Sequence, residues 1–144
     1  MKVLVTGGTS LLGAGVADRL AERGDTVTVL QRRPAGLRHR EVLADIADRD
    51  AVIAALRGHD AVVHLAANVE TNPAIEIIVR DNVVGTYNVF EAARAAGVKR
   101  VVFASSGATV TGYEREAPLE AVVAGRYGEV SSSTLTFGIA PATP

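Results

Sequence analysis

Three glycines crowd the segment Thr6-Gly7-Gly8-Thr9-Ser10-Leu11-Leu12-Gly13. Glycine is the residue a backbone needs when another group must approach it closely. Here the segment stands between an apolar run and a stretch with helical periodicity, so it places a bare turn at the mouth of a helix. A helix N-terminus carries unpaired N–H groups and a partial positive charge. Bare backbone, free amides and positive potential together are the chemistry of a diphosphate-binding site. Ser10 stands in the middle of the turn, where its N–H and hydroxyl are both expected to donate to phosphate. A glycine turn joining two elements with no ligand is the plainer alternative.

Other residues extend this chemistry along the chain. Gln31, Arg32 and Arg33 follow the second apolar run. A carboxylate at that point would accept a hydrogen bond from a ribose 2′-hydroxyl, and none is present. Two guanidinium groups instead suit a 2′-phosphate, so NADP is favoured over NAD as the dinucleotide. Two solvated loop arginines would give the same pattern. Asp45 and Ile46 lie between a weak strand and a helix, where Asp45 is either an acceptor for a base or a plain turn residue. His64 closes an apolar strand and reads as a structural hydrogen-bonding group. Leu65, Ala66 and Ala67 follow it, and the two alanines leave room for a ribose beside the backbone. Asn82 is the polar member of an otherwise apolar helical stripe, and a buried amide needs partners. Ser105, Ser106 and Thr109 follow the last apolar run and read as loop hydroxyls that bond the backbone.

The elements that must position these residues alternate. Residues 2–6 form a buried strand, 11–23 a helix stopped by Gly24-Asp25, and 26–30 a second strand. Strand, turn, helix and strand thus fill roughly the ~30 residues of one βαβ unit. The pattern repeats as a weak strand over 41–44, a helix from its N-cap Asp48 to Leu56, and a strand over 61–65. The strand over 61–65 has no polar face before His64, as a parallel strand covered on both sides requires. Ile75, Ile78, Val79, Asn82, Val83, Thr86, Val89, Phe90, Ala93 and Ala96 predict one long amphipathic helix, followed by a strand over 98–103. Ala117 to Ala124 suggests a short helix. Five strands in the order 3-2-1-4-5 form a doubly wound parallel α/β sheet, whose crevice lies where the direction of winding reverses between strands 1 and 4. The expected domain spans 1–130, with 131–144, rich in Ser, Thr and Pro, as a weakly ordered tail.

Composition narrows the function classes. The 144 residues carry 15 basic and 16 acidic side chains, a net charge of -1, which gives no reason to expect nucleic acid or an anionic membrane as partner. There are no cysteines, and His39, His59 and His64 are not at ligand spacing, so no metal site is expected. No apolar run suits a signal peptide or a bilayer span, and a cytoplasmic protein is expected.

Four ordered segments carry a family likeness. Thr6 to Gly13 resembles the TGGxGxxG turn of the extended short-chain dehydrogenases/reductases, the NAD-dependent epimerase/dehydratase family, with Ser10 in place of its middle glycine. Asp45-Ile46 resembles the acidic pair that contacts adenine in that family. His64-Leu65-Ala66-Ala67 resembles its HLAA segment, and Asn82-Val83-Val84-Gly85-Thr86 its NVxGT helix motif. Lys99 to Ser106 resembles the strand leading to its catalytic serine, which implies Ser106 as the catalytic hydroxyl, with Gly107 in that place if the register shifts by one and Ser105 and Thr109 as alternatives. The likeness spans residues 1–115. It implies a Rossmann-like fold, NAD(P), and hydride transfer at a carbinol carbon of a small molecule or nucleotide sugar. It also implies that Asn82 supports the active site through hydrogen bonds.

One departure bears on activity. The family pairs a general-acid/base Tyr with a Lys four residues later, on one helix face. Here Tyr87 is followed by Glu91 at that spacing, Tyr113 by Ala117 and Tyr127 by Ser131. The sequence therefore resembles the N-terminal half of a family member. Three readings stay open: a family enzyme, a non-catalytic NAD(P)-binding module or sensor, and a gene fragment without function. Without the remaining half, the last strand and the long helix would be uncovered, and a homo-oligomer is expected.

Overall fold

β1 (Lys2–Thr6) is a run of apolar and β-branched residues that the rest of the sheet covers on both sides. In the computed structural model, which describes residues 1–70, 72–106, 120, 124 and 125, it is the central strand. α1 (Leu11–Glu22) follows, then β2 (Thr26–Gln31), β3 (Arg40–Leu43), α2 (Arg49–Leu56) and β4 (Ala61–His64). α3 (Ile75–Ile78), a π-helical turn (Val79–Val84) and α4 (Gly85–Ala95) form the long helix, and β5 (Arg100–Phe103) completes the sheet. Met1–Ala104 make one compact unit and Ser105–Pro144 another; the fold described here is the first. The segment from Ala117 to Ala124 and the tail over 131–144 lie outside the described residues, Glu120 and Ala124 excepted.

The sheet is parallel throughout, with strands in the order β3-β2-β1-β4-β5, the order the sequence predicts. Register aligns the C-terminal ends. Thr6 is opposite Leu30 on one side and His64 on the other, and His64 is opposite Phe103. The residues after each strand therefore meet along one edge of the sheet.

Alternation along the strands divides the core. Leu4, Leu30 and Val62 join Val52, Leu56, Val89 and Ala92 on one face. Val3, Val5, Val27, Val29 and Ala61 join Ala17 on the other. Local signals set the helix ends. Asp48 caps α2 by accepting from the Ala51 N–H at 3.0 Å. Gly24 ends the α1 turn with φ +90°, a conformation that favours glycine.

The long helix departs from the expected stripe. Its buried positions are Asp81, Gly85, Asn88, Val89, Ala92 and Ala93, whereas Ile75, Val79, Val83 and Phe90 are exposed. The sequence reading assumed an unbroken period of 3.6. Val89 and Ala93 are buried as that stripe predicts, and the departure lies at Ile75, Val79 and Val83, before or within the π turn, and at Phe90.

Candidate functional site

The glycine turn is closed to side chains at three places. An added Cβ at Gly7, whose φ is +74°, would lie 2.8 Å from the Ala66 nitrogen. At Gly8 it would lie 2.4 Å from Val29 Cγ1, and at Gly13 only 2.1 Å from the Gly7 carbonyl oxygen. β1, the loop after β4 and the first turn of α1 therefore meet backbone to backbone. Ser10 is the N-cap of α1. Its N–H and its hydroxyl both donate to the Gly7 carbonyl, at 3.1 and 2.9 Å, while its Oγ accepts from the Gly13 N–H at 3.0 Å. Both donors expected to face phosphate are thus engaged within the turn, which the serine closes on itself. The N–H groups of Leu11 and Leu12 remain as donors of the first helical turn.

Beneath the turn, β1, β4 and α4 are joined by a chain of buried polar groups. Thr6 Oγ1 accepts from the Leu65 and Ala66 N–H groups at 3.2 and 3.1 Å, and lies 2.7 Å from His64 Nδ1. With both lone pairs engaged, the hydroxyl must donate to Nδ1. The proton of His64 is then on Nε2, which donates to Thr86 Oγ1 at 3.0 Å. His64 is fully buried, and burial pushes its pKa down to about 4, so the ring is neutral. It stacks on Phe103 at 5.4 Å between centroids. Thr6, expected to face a ligand, is wholly internal and fixes the loop after β4 instead.

Gly7, Thr9, Ser10, Gln31, Arg32, Asp45, Ile46, Leu65, Ala66 and Ala67 line one cavity of about 190 Å³, completed by Leu30, Ala44 and Asp81. Arg33 lines an adjoining hollow with Thr9, Gln31, Arg32, Pro34 and Ala35. Six residues singled out from the sequence stand apart from the cavity. Thr6, Gly8 and Gly13 lie beneath the turn, and the side chains of Leu11 and Leu12 are exposed. Asn82 holds the loop after β4 in place: its Oδ1 accepts from the Asn68 N–H at 2.7 Å, and its Nδ2 donates to the Asn68 carbonyl at 2.9 Å. Ser106 follows β5 by three residues in the chain and belongs to the second unit. Gly107 and Thr109 lie outside the described residues.

Charges gather at the end of the cavity near β2 and β3. Arg80 pairs with both Asp45 and Asp81, and Arg32 reaches Asp81 at 3.6 Å. Burial of Asp45 acts to raise its pKa, but the Ala47 N–H at 2.9 Å and the Arg80 guanidinium outweigh it and hold the carboxyl below its usual range. Gln31 is buried and donates from Nε2 to Glu41 Oε2 at 2.6 Å. Glu41 also accepts from the Ala35 and Leu37 N–H groups; these donors, Ala35 first, lower its pKa despite partial desolvation. A carboxylate only accepts, so the Gln31 amide cannot be flipped. Its Oε1 is buried without a hydrogen-bond partner.

Sequence reasoning missed Arg80, Asp81 and Asn88. Asn88 donates from Nδ2 to the carbonyls of Ile46 and Ala47, both at 3.0 Å, and pins the loop that carries Asp45. Gly85 lets that loop seat, because an added Cβ would lie 2.7 Å from Ile46 Cδ1. An Asn within the apolar half of the helix was a usable signal for Asn88. Nothing in the sequence distinguished Arg80 and Asp81 from a solvated pair; in the structure Asp81 lines the cavity, and Arg80 is tied to it through the Asp45 and Asp81 carboxylates.

The comparisons with known proteins agree with this architecture. L-arabinose 1-dehydrogenase (NAD(P)(+)) of Haloferax volcanii is 41% identical over 105 residues, covering 73% of this chain and 41% of that protein. Uronate dehydrogenase of Pseudomonas putida is 36% identical over 124 residues, covering 83% and 46%. A crystal structure of a short-chain dehydrogenase/reductase superfamily protein from Agrobacterium tumefaciens with bound NAD superposes with a TM-score of 0.69 at 40% identity, covering 74% of this chain and 33% of that one. The chain thus spans less than half the length of each. A sequence model of the NAD dependent epimerase/dehydratase family matches residues 3–132, and the chain belongs to that family.

Proposed function

We propose that the unit formed by residues 1–104 holds the adenosine diphosphate portion of NAD(P), and that the protein serves an NAD(P)-dependent oxidoreductase reaction at a carbinol of a sugar or sugar acid. One observation carries this reading: the turn that leaves no room for side chains at Gly7 and Gly13 leads into α1, and its residues Gly7, Thr9 and Ser10 line the cavity. Diphosphate on the first turn of α1 places a nucleoside in that cavity, between Leu30, Ile46 and Ala66. At about 190 Å³ it is smaller than the ~300–1000 Å³ of a typical whole-ligand pocket, which suits a nucleoside rather than an entire dinucleotide. The small side chains of Ala66 and Ala67 suit the approach of the nicotinamide ribose. When bound, the dinucleotide supplies a hydride acceptor or donor, and the groups described here bind and orient it. Ser106 is the hydroxyl proposed, from sequence likeness alone, to meet the reacting carbinol oxygen. The arabinose and uronate dehydrogenases among the relatives support the sugar class. For the choice of dinucleotide, the hollow beside Arg33 supports NADP and the pairing of Arg32 with Asp81 opposes it.

A second reading rests on the sequence itself, in which no Tyr has a Lys four residues later: the chain binds the dinucleotide without turning it over. Calorimetric titration with ADP-ribose, NAD and NADP, followed by nicotinamide absorbance with L-arabinose and a uronate, separates the two. Binding with hydride transfer supports the enzyme. Binding without it supports the module. A folded chain that binds none of the three nucleotides refutes both.

A further inference from the structure

We infer that Asp81 sets dinucleotide selectivity, neutralising Arg32 so that the site takes NAD in preference to NADP. The inference rests on the cavity being the adenosine site. A 2′-phosphate at the end of β2 needs free cations, and the sequence offers Arg32 and Arg33 there. In the structure Arg32 reaches across the cavity mouth to Asp81, at 3.6 Å, and both residues line the cavity. The Arg32 side chain is largely exposed, while Asp81 is only 8% exposed, so the carboxylate is the fixed member of the pair. The other nearby cation, Arg80, is shared between Asp81 and Asp45.

A second carboxylate opposes a dianion at this point. The Glu41 carboxylate lies 2.6 Å from Gln31 Nε2, immediately beneath the end of β2. Arg33, in the adjoining hollow, is the one guanidinium of the set with no carboxylate partner among the described residues. Selectivity arises from a repulsive element set against the wrong ligand as well as from attraction to the right one, and Asp81 is that element.

The test compares ADP-ribose with 2′-phospho-ADP-ribose, which read the adenosine end alone, on the full chain by calorimetry. Wild type is expected to bind ADP-ribose at least as tightly as its 2′-phosphate. D81N is expected to strengthen binding of the 2′-phosphate by about tenfold, as loss of one nearby like charge would, with less than about a threefold change for ADP-ribose. Adding R32A to D81N should abolish the gain, a coupling that a double-mutant cycle measures. R32A alone, at an exposed side chain, keeps the idea refutable if D81N does not fold: it should change binding of the 2′-phosphate by less than about threefold. A wild type preferring the 2′-phosphate, a D81N effect equal on both probes, or a tenfold or greater selective loss in R32A would overturn the inference while leaving the dinucleotide site standing. If neither probe binds folded wild type, the site itself is refuted and the inference with it.

Discussion

Neutral His64 makes the fold sensitive to pH in a way that one substitution isolates. Its folded pKa is about 4, against 6.5 in an unperturbed chain. Between those values the unfolded chain binds a proton that the folded one refuses. Stability is therefore complete above about pH 6.5, declines as pH falls, and levels off below about 4. At about 1.36 kcal/mol per pKa unit the full loss is roughly 3 kcal/mol, a large share of the ~5–15 kcal/mol that holds a typical domain. Urea unfolding of wild type and His64→Gln, measured from pH 7.5 to 4.5, reads the difference in slope. The comparison cancels the groups common to both, including His59, whose pKa burial also lowers, and the carboxylates held low by their partners, Asp45 among them. Wild type should lose about 2 to 3 kcal/mol more than the variant over this range. The ring's tautomer is a separate check: ¹⁵N shifts should report a protonated Nε2 and a bare Nδ1, because Thr6 Oγ1 has only its hydrogen left to give. Parallel slopes, or a proton on Nδ1, would refute the assignment.

Other perturbations read the turn and the loop. Gly13→Ala forces a methyl to within 2.1 Å of the Gly7 carbonyl oxygen, backbone against backbone, and should cost about 3 kcal/mol or more in urea unfolding and abolish ADP-ribose binding; an unfolding midpoint equal to wild type would contradict the packing. Asn88→Ala strips the donor from two carbonyls and should cost about 2 kcal/mol, with faster hydrogen exchange over residues 45–47. Unchanged exchange there would show that the loop is held by something else.

The sequence made the frame legible because its signals are local. An apolar run closed by Gly7-Gly8, a cap at Asp48 and a stop at Gly24 each act through neighbours in the chain, and the strand order follows from alternation and crossover handedness. Much of the cavity lining was legible for a related reason: residues that follow parallel strands must meet at one edge, as Gly7, Gln31, Asp45 and Leu65 do. What escaped depends on partners far apart in sequence. Whether Ser10 offers donors outward depends on the position of the Gly7 carbonyl. Whether Arg32 is a free cation depends on a carboxylate 49 residues away.

Two of the misses, Arg80 and Asp81, lie in the π turn beside Asn82, which the sequence did single out. Arg80, Asp81 and Asn82 are consecutive, yet they serve three different loops: Arg80 reaches Asp45 after β3, Asp81 reaches Arg32 after β2, and Asn82 holds Asn68 after β4. A strictly α-helical count treats such a run as a surface stretch with one buried member. The π turn lies where the long helix passes the edge at which the strands end, and all three polar side chains bear on that edge. One turn thus contributes to three parts of the rim of the site, in keeping with the frequent placement of such turns where a helix meets a ligand.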